Sequence, residues 1–417
     1  MSSTGVFILI LCIVVIGFLF ELFLEVLNYR KLSPVQPPEA GNIYDEEKYR
    51  NQYNYQRTNF WFDLMHDAFG FIISLGMLLF YGFAFTDAWI REYVQDERLV
   101  VLLFFGILFF AFDIINIPFS IYSTFVIESK FGFNKTSVKT FILDKIKGWL
   151  LSVAIGTPIL LAVFWFYSQT GEWFWIYTLL LFTGVMLFFT LFFSNLIVPL
   201  FNKQTPLEEG ELKNAIKEFA DKVGFSLKNI YVIDGSRRSS KANAYFTGLG
   251  RKKRIVLYDT LIKDMEINEI VAVLAHEIGH YKKKHTFVGL VTSLFQTALM
   301  LYILSFFLGN PVLSEAMGVK IPSFHIAIIA FGILYSPVSM VLGLINNVVS
   351  RKNEYEADRF AGEKFNGLHL VTALKKLTVN NLSNLTPHSF YVFMYYSHPT
   401  VLQRIKALSD IRPDNKS

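Results

Sequence analysis

The run Val6-Phe7-Ile8-Leu9-Ile10-Leu11-Cys12-Ile13-Val14-Val15-Ile16-Gly17-Phe18-Leu19-Phe20 carries no charge, and past Glu21 its apolar character continues to Leu27. As a helix rising 1.5 Å per residue, residues 6–27 extend about 33 Å, enough to cross a hydrocarbon layer of roughly 30 Å. No basic residue precedes the run and no small-residue cleavage motif follows it, so it reads as an uncleaved span and not as a signal peptide. Comparable stretches lie near residues 69–90, 99–127, 149–167, 175–201, 287–309 and 324–350. Gly156-Thr157-Pro158 and Ser336-Pro337 fall inside them, which transmembrane helices tolerate better than soluble ones do. The sequence therefore predicts an α-helical integral membrane protein with seven spans.

Composition agrees. Of 417 residues 53% are hydrophobic, 43 are Phe and only 18% are charged, proportions that exclude a disordered chain or an acidic tail protein. With Cys12 as the one cysteine, a disulfide framework and a Cys-based zinc cluster are both excluded. A metal site must draw on His and carboxylate. The net charge of +5 suggests a nucleic-acid binder until the cations are placed. Segments 28–68, 128–148, 202–286 and 351–417 hold 36 of the 39 Lys and Arg, and the alternate segments hold three. That bias orients the chain, with the N-terminus outside or lumenal and the C-terminus cytoplasmic. The positive excess is then topology, with the lipid bilayer as partner and no nucleic acid.

The chain divides into residues 1–201 with five spans, a polar segment 202–286, spans six and seven over 287–350, and a C-terminal segment 351–417. Within 202–286 the spacing of Leu212, Ile216, Phe219 and Val223 predicts a helix, followed by strands at 229–234, 242–247 and 254–259. Gly235 and Gly248-Leu249-Gly250 mark turns. A second helix begins near Asn268, with Ile270, Val271, Leu274, Ala275 and Ile278 as its apolar stripe. This is a small α+β cytoplasmic unit.

On that helix stands His276-Glu277-Ile278-Gly279-His280. Residues four apart share one helical face, so His276 and His280 can bind a single Zn²⁺, with Glu277 beside them to act on water. A third protein ligand is required. The longer motif with His six residues after the second one fails here, because Lys283 and Thr286 occupy its positions. His285 is one residue short and remains a candidate to support a ligand from behind or to serve the fold. The seventh span returns to the motif's side near Ser350, directly before Asn353-Glu354-Tyr355-Glu356-Ala357-Asp358, read as a second helix start. Glu354 and Asp358 share one face, suiting a ligand and an acceptor for a histidine N–H. Glu356 lies about 200° away from Glu354 round the helix and reads, with Arg359, as an ordinary solvated face.

These residues resemble those of the type I CAAX prenyl proteases, membrane-embedded zinc metalloendopeptidases. The resemblance rests on Ala275 to Tyr281 with His285, on Glu354 to Asp358, on Asn243-Ala244-Tyr245-Phe246-Thr247-Gly248, on Ser397-His398-Pro399 with Arg404, and on Lys130-Phe131-Gly132-Phe133-Asn134-Lys135. It implies one zinc on His276, His280 and Glu354, with Glu277 as general base in a gluzincin-like site. Asp358 would orient a ligand, and His398 and Arg404 would steady an oxyanion or brace the site. Asn243, Ala244 and Tyr245 would hold the substrate backbone as an added strand, as an unpaired sheet edge can. It also implies a barrel of helices around a chamber. Its substrate would be a prenylated or membrane-associated peptide, losing the three residues after a prenylated cysteine.

Glu21, Glu25, Asp113, Asn195, Asn346 and Asn347 lie in or at the ends of spans, where lipid contact is costly, so they are expected to face protein or water. Two other functions fit the same sequence. One is a broader membrane-protein quality-control metalloprotease, and the other a transporter or channel with a structural metal. The membrane is that of the endoplasmic reticulum in a eukaryote and the inner membrane in a bacterium; the tail Pro413 to Ser417 carries no retrieval signal.

Overall fold

The structure, a computed structural model, describes residues 1–41, 43–225, 227, 229–247 and 254–411. Gly248-Leu249-Gly250 and the tail 413–417 lie outside the described residues.

Helix α1 (Ser3–Lys31) contains the opening apolar run, capped by the Ser2 hydroxyl accepting from the Gly5 amide. Helix α2 (Glu46–Leu79) starts at Asp45, whose carboxylate accepts from the Lys48 amide at 2.7 Å. The apolar stretch 69–90 is not one helix. Tyr81 takes a left-handed conformation (φ 52°), and the chain restarts as α3 (Gly82–Tyr93). Helix α4 (Glu97–Tyr122) continues through a wide helical turn to Glu128. Residues 138–201 form one long helical run bent at Gly171 (φ 53°), which divides it into α5 (Val138–Thr170) and α6 (Phe174–Phe192), with α7 (Val198–Phe201) ending it. Phe166 stacks on Tyr177 at 5.7 Å across this bend, as an antiparallel hairpin requires. Among the described residues, six continuous helical stretches are long and apolar enough to cross a membrane; the hairpin makes two of these crossings, giving seven.

The polar segment follows. Strand β1 (Gln204–Pro206), which no sequence pattern marks, precedes α8 (Glu211–Lys222), β2 (Asn229–Ile233), β3 (Ala244–Thr247), β4 (Arg254–Tyr258) and α9 (Asp259–Asp264). The sheet order is β1-β2-β4-β3, with β2 and β4 parallel and the outer strands antiparallel, so β3 is an edge. Helix α10 (Ile267–Lys282) begins with a reciprocal cap between Glu266 and Glu269. It packs Ile270, Val271, Leu274 and Ile278 into a core with Ile216, Phe219, Ile255 and Leu257.

Helix α11 (His285–Phe307), short α12 (Pro311–Ala316) and α13 (Phe324–Ala361) complete the membrane part. No helix starts near Asn353. Helix α13 runs unbroken for 38 residues, about 57 Å at 1.5 Å per residue, so it outruns the bilayer and carries Glu354 and Asp358 on its protruding end. Helices α14 (Gly367–Asn380), α15 (Ser389–Tyr395) and α16 (Val401–Ser409) follow.

Contacts run α1–α2–α3–α4–α5–α6–α11–α13 and back to α1, closing a ring. Only 6–17% of each apolar window is buried within the chain, as suits helices facing lipid outside and a chamber inside. The ring is sealed at the end away from the sheet by Ile10, Ile90, Phe104, Phe174, Leu313 and Ile326. Four of the intramembrane polar groups, Glu25, Asp113, Asn346 and Asn347, have protein partners. Asp113 accepts from Lys145 Nζ (2.8 Å) and Trp149 Nε1 (2.7 Å), Asn346 pairs with Gln296, and Glu25 accepts from the Tyr391 hydroxyl at 2.9 Å.

Candidate metal centre and active site

Helix α10 presents His276 and His280 one turn apart, with their Nε2 atoms 3.1 Å from each other. The end of α13 crosses beside them. Glu354 Oε2 lies 3.4 Å from His276 Nε2, and Oε1 lies 3.1 Å from His280 Nε2. Zinc bonds of 2.0–2.2 Å in a tetrahedron would set such ligand atoms about 3.3–3.6 Å apart, so the donor set fits the ion. A second feature points the same way. Glu354 is buried, and its Oε2 has no properly directed hydrogen bond, although His398 Nδ1 comes within 2.9 Å. A carboxylate oxygen buried in that condition costs free energy unless a cation takes it.

The outward nitrogen of His276 is also held. Its Nδ1 lies 2.8 Å from Asp358 Oδ1, and Arg404 donates from Nε and Nη2 to both oxygens of Asp358 at 2.8 and 2.6 Å. The Arg404 position depends on α16, whose start is fixed by Thr400 and Gln403 capping each other. Thr400 is therefore the cap. Burial pulls the His276 imidazole down, but hydrogen bonds to Asp358 and Glu354 outweigh it and push the pKa up to about 9. Burial likewise opposes the Arg404 charge, while Asp358 more than compensates and raises its pKa.

Glu277, partly exposed, makes no hydrogen bond or ion pair with a described residue, which leaves its carboxylate free to act on a small molecule at the site. His398, with 60% of its side chain exposed, reaches in from the loop before α16. Asn243 is exposed, and its side chain accepts from the Ala244 amide at 2.8 Å. Ala244 and Tyr245 lie on β3, whose outer edge has no partner strand among the described residues, and β3 packs against α10. The Tyr245 hydroxyl is 3.5 Å from Ser194 Oγ.

His285, kept as a supporting candidate, and Glu356, expected on a solvated face, come together beside His280. His285 is buried, with Nδ1 3.0 Å from His280 Nδ1. Glu356 is not a purely solvated residue, because its Oε2 lies 3.2 Å from His285 Nε2. Nothing local in the sequence signals that pairing, since the residues are 71 positions apart.

Similarity to known proteins covers nearly the whole chain. A family model described as "CAAX prenyl protease N-terminal, five membrane helices" matches residues 25–203, and one described as "Peptidase family M48" matches residues 206–412. The chain is 35% identical to CAAX prenyl protease 1 of Saccharomyces cerevisiae over 96% of this chain and 94% of that one. It is 31% identical to the CAAX prenyl protease 1 homolog of Homo sapiens over 95% and 93% respectively. The crystal structure of S. mikatae Ste24p superposes with a TM-score of 0.92 at 34% identity, covering 97% of this chain and 99% of that chain. A closed ring of seven crossings with two motif helices meeting at its polar end is thus a shared architecture, and the chain belongs to the CAAX prenyl proteases of peptidase family M48, multi-pass membrane metalloproteases.

Proposed function

We propose that the chain holds one zinc on His276, His280 and Glu354 and cleaves prenylated membrane-associated peptides, removing the three residues after the prenylated cysteine. The observation that carries this reading is the approach of His276 Nε2, His280 Nε2 and the Glu354 carboxylate to within 3.1–3.4 Å of one another, with Glu354 Oε2 buried and making no directed hydrogen bond to its neighbours His398 and Arg404. Zinc held there supplies Lewis acidity to a carbonyl and lowers the pKa of water toward about 7. Glu277 accepts a proton from the attacking water and passes it to the leaving amine. The edge of β3, from Asn243 to Tyr245, pairs with the extended substrate backbone and lays it along α10. Asp358, braced by Arg404, fixes the His276 ring, and His398 is placed to donate toward the oxygen that becomes negative.

The cation bias puts this site on the cytoplasmic face and the N-terminus outside or in the lumen. The yeast and human relatives are eukaryotic proteins, which favours the endoplasmic reticulum membrane. The test is cleavage of a farnesylated against an unmodified peptide by the purified full-length protein and by Glu277→Gln. Cleavage should require the lipid and fall at least about 100-fold in the variant with zinc retained. Equal rates on both peptides would overturn the substrate, and full activity of Glu277→Gln would overturn the mechanism.

A further inference from the structure

The two histidines of the metal centre are held from behind in different ways. Behind His276 stands a carboxylate, Asp358, in direct contact. Behind His280 stands another imidazole: His280 Nδ1 and His285 Nδ1 are 3.0 Å apart, and His285 Nε2 is 3.2 Å from Glu356 Oε2.

Proton counting gives this row a direction. A ring nitrogen that gives its lone pair to a metal carries no proton, so a neutral His280 bound through Nε2 is protonated on Nδ1. That N–H can only donate, which makes His285 Nδ1 the acceptor and leaves the His285 proton on Nε2, facing Glu356. Every nitrogen in the row then has a role, and the row ends on a half-exposed carboxylate.

We propose that His285 and Glu356 are positioning residues for His280, fixing its ring orientation and tautomer as Asp358 does for His276. The reading rests on the metal site proposed above. The backbone supports it independently. Lys284, between α10 and α11, takes φ 60°, a left-handed conformation unfavourable for any residue with a Cβ. That turn ends α10 and starts α11 at His285, which turns an imidazole that could not share the α10 face back toward His280. A buried histidine at the first position of a membrane helix, brought there by a strained turn, has no packing role that an apolar residue would not fill better.

The test is metal retention under chelator competition by full-length His285→Phe, His285→Gln, Glu356→Ala and Glu354→Ala, with kcat and KM measured alongside. Phe keeps the ring volume and has no polar atom, so His285→Phe should lose metal 10–100-fold more readily and lower kcat with KM little changed. Gln offers an acceptor and a donor in one side chain and should recover much of the loss. Glu356→Ala, at a partly exposed position that does not threaten folding, should weaken retention several-fold. Wild-type retention in both His285→Phe and Glu356→Ala, with metal lost in Glu354→Ala, would overturn the relay and leave the site standing. Wild-type retention in Glu354→Ala would overturn the metal site itself, and the relay with it.

Discussion

Gly279 of α10 lies so close to Ala357 of α13 that even a methyl group between them would be tight. A Cβ on Gly279 would stand 3.1 Å from Ala357 Cα and 3.2 Å from both Ala357 O and Phe360 Cβ. Gly279 sits between the two histidines of one motif and Ala357 between Glu354 and Asp358 of the other. The smallest residue of each motif is therefore the point where the two helices touch, and that contact sets how near Glu354 comes to the imidazoles.

Gly279→Ala should accordingly move α13 outward by a few tenths of an ångström. Although alanine favours a helix by about 1 kcal/mol over glycine, the expected result is weaker metal retention and a lower melting temperature. A variant with both quantities at or above the wild-type level would mean that the crossing has room to spare.

Asp358 is 1% exposed and takes both donors of Arg404. Removing the guanidinium leaves the buried carboxylate with His276 as its remaining partner, so the loss should stay below the figure of about 3–5 kcal/mol for a wholly unpaired buried charge. Arg404→Met should lower thermal stability strongly, and Arg404→Lys should rescue only part because a single ammonium cannot form the paired contact. In a double-mutant cycle with Asp358→Asn the two losses should be far from additive. Additive losses would show that the pair does not act as a unit.

With no metal at the site, the His276 pKa is pushed up to about 9, so the imidazole is protonated at neutral pH. Metal binding needs the neutral ring and must displace that proton. Apparent metal affinity, corrected for the chelator's own titration, should rise about tenfold per pH unit from 7 to near 9 and then level off. The metal-free protein should behave oppositely. A raised folded-state pKa means that the stabilisation is fully present below the unfolded value near 6.5 and is lost as pH rises through about 9. A flat affinity profile from pH 7 to 9 would exclude the effect.

At the sealed end, His325 is fully buried, with Nε2 2.7 Å from Asp87 Oδ1, and Asp87 also accepts from Arg91 at 2.9 Å. Asp87→Ala strands the buried His325, while Arg91 keeps Glu97, and should lower the melting temperature without changing metal retention. His325→Phe keeps ring contact with Phe104, whose centroid is 4.4 Å away, and leaves Asp87 paired with Arg91, so it should be milder. Loss of metal in either variant would show coupling between the two ends of the ring.

Much of this was legible without coordinates. The number of crossings follows from the fixed thickness of a bilayer, and the grouping of 36 cations in alternate segments follows from the same alternation. The pairs His276 with His280 and Glu354 with Asp358 are legible because four residues is close to one helical turn. Other features were not. The stretch 69–90 has the composition of a span, yet the chain breaks at Tyr81, where a left-handed residue leaves no compositional trace. The expected helix start near Asn353 does not exist, because α13 is long enough to carry the ligand on an unbroken extension of the span.

The sequence by itself determined the class of protein, the metal-binding chemistry and the residues able to provide it, since each depends on residue type and on spacing within one helix. How near Glu354 comes to the histidines, and that His285 and Glu356 stand behind His280, only the tertiary structure decided. Those relations depend on the distance between α10 and α13 at Gly279 and on the turn at Lys284. Both are set by packing between segments some 70 residues apart, which periodicity along one segment does not encode.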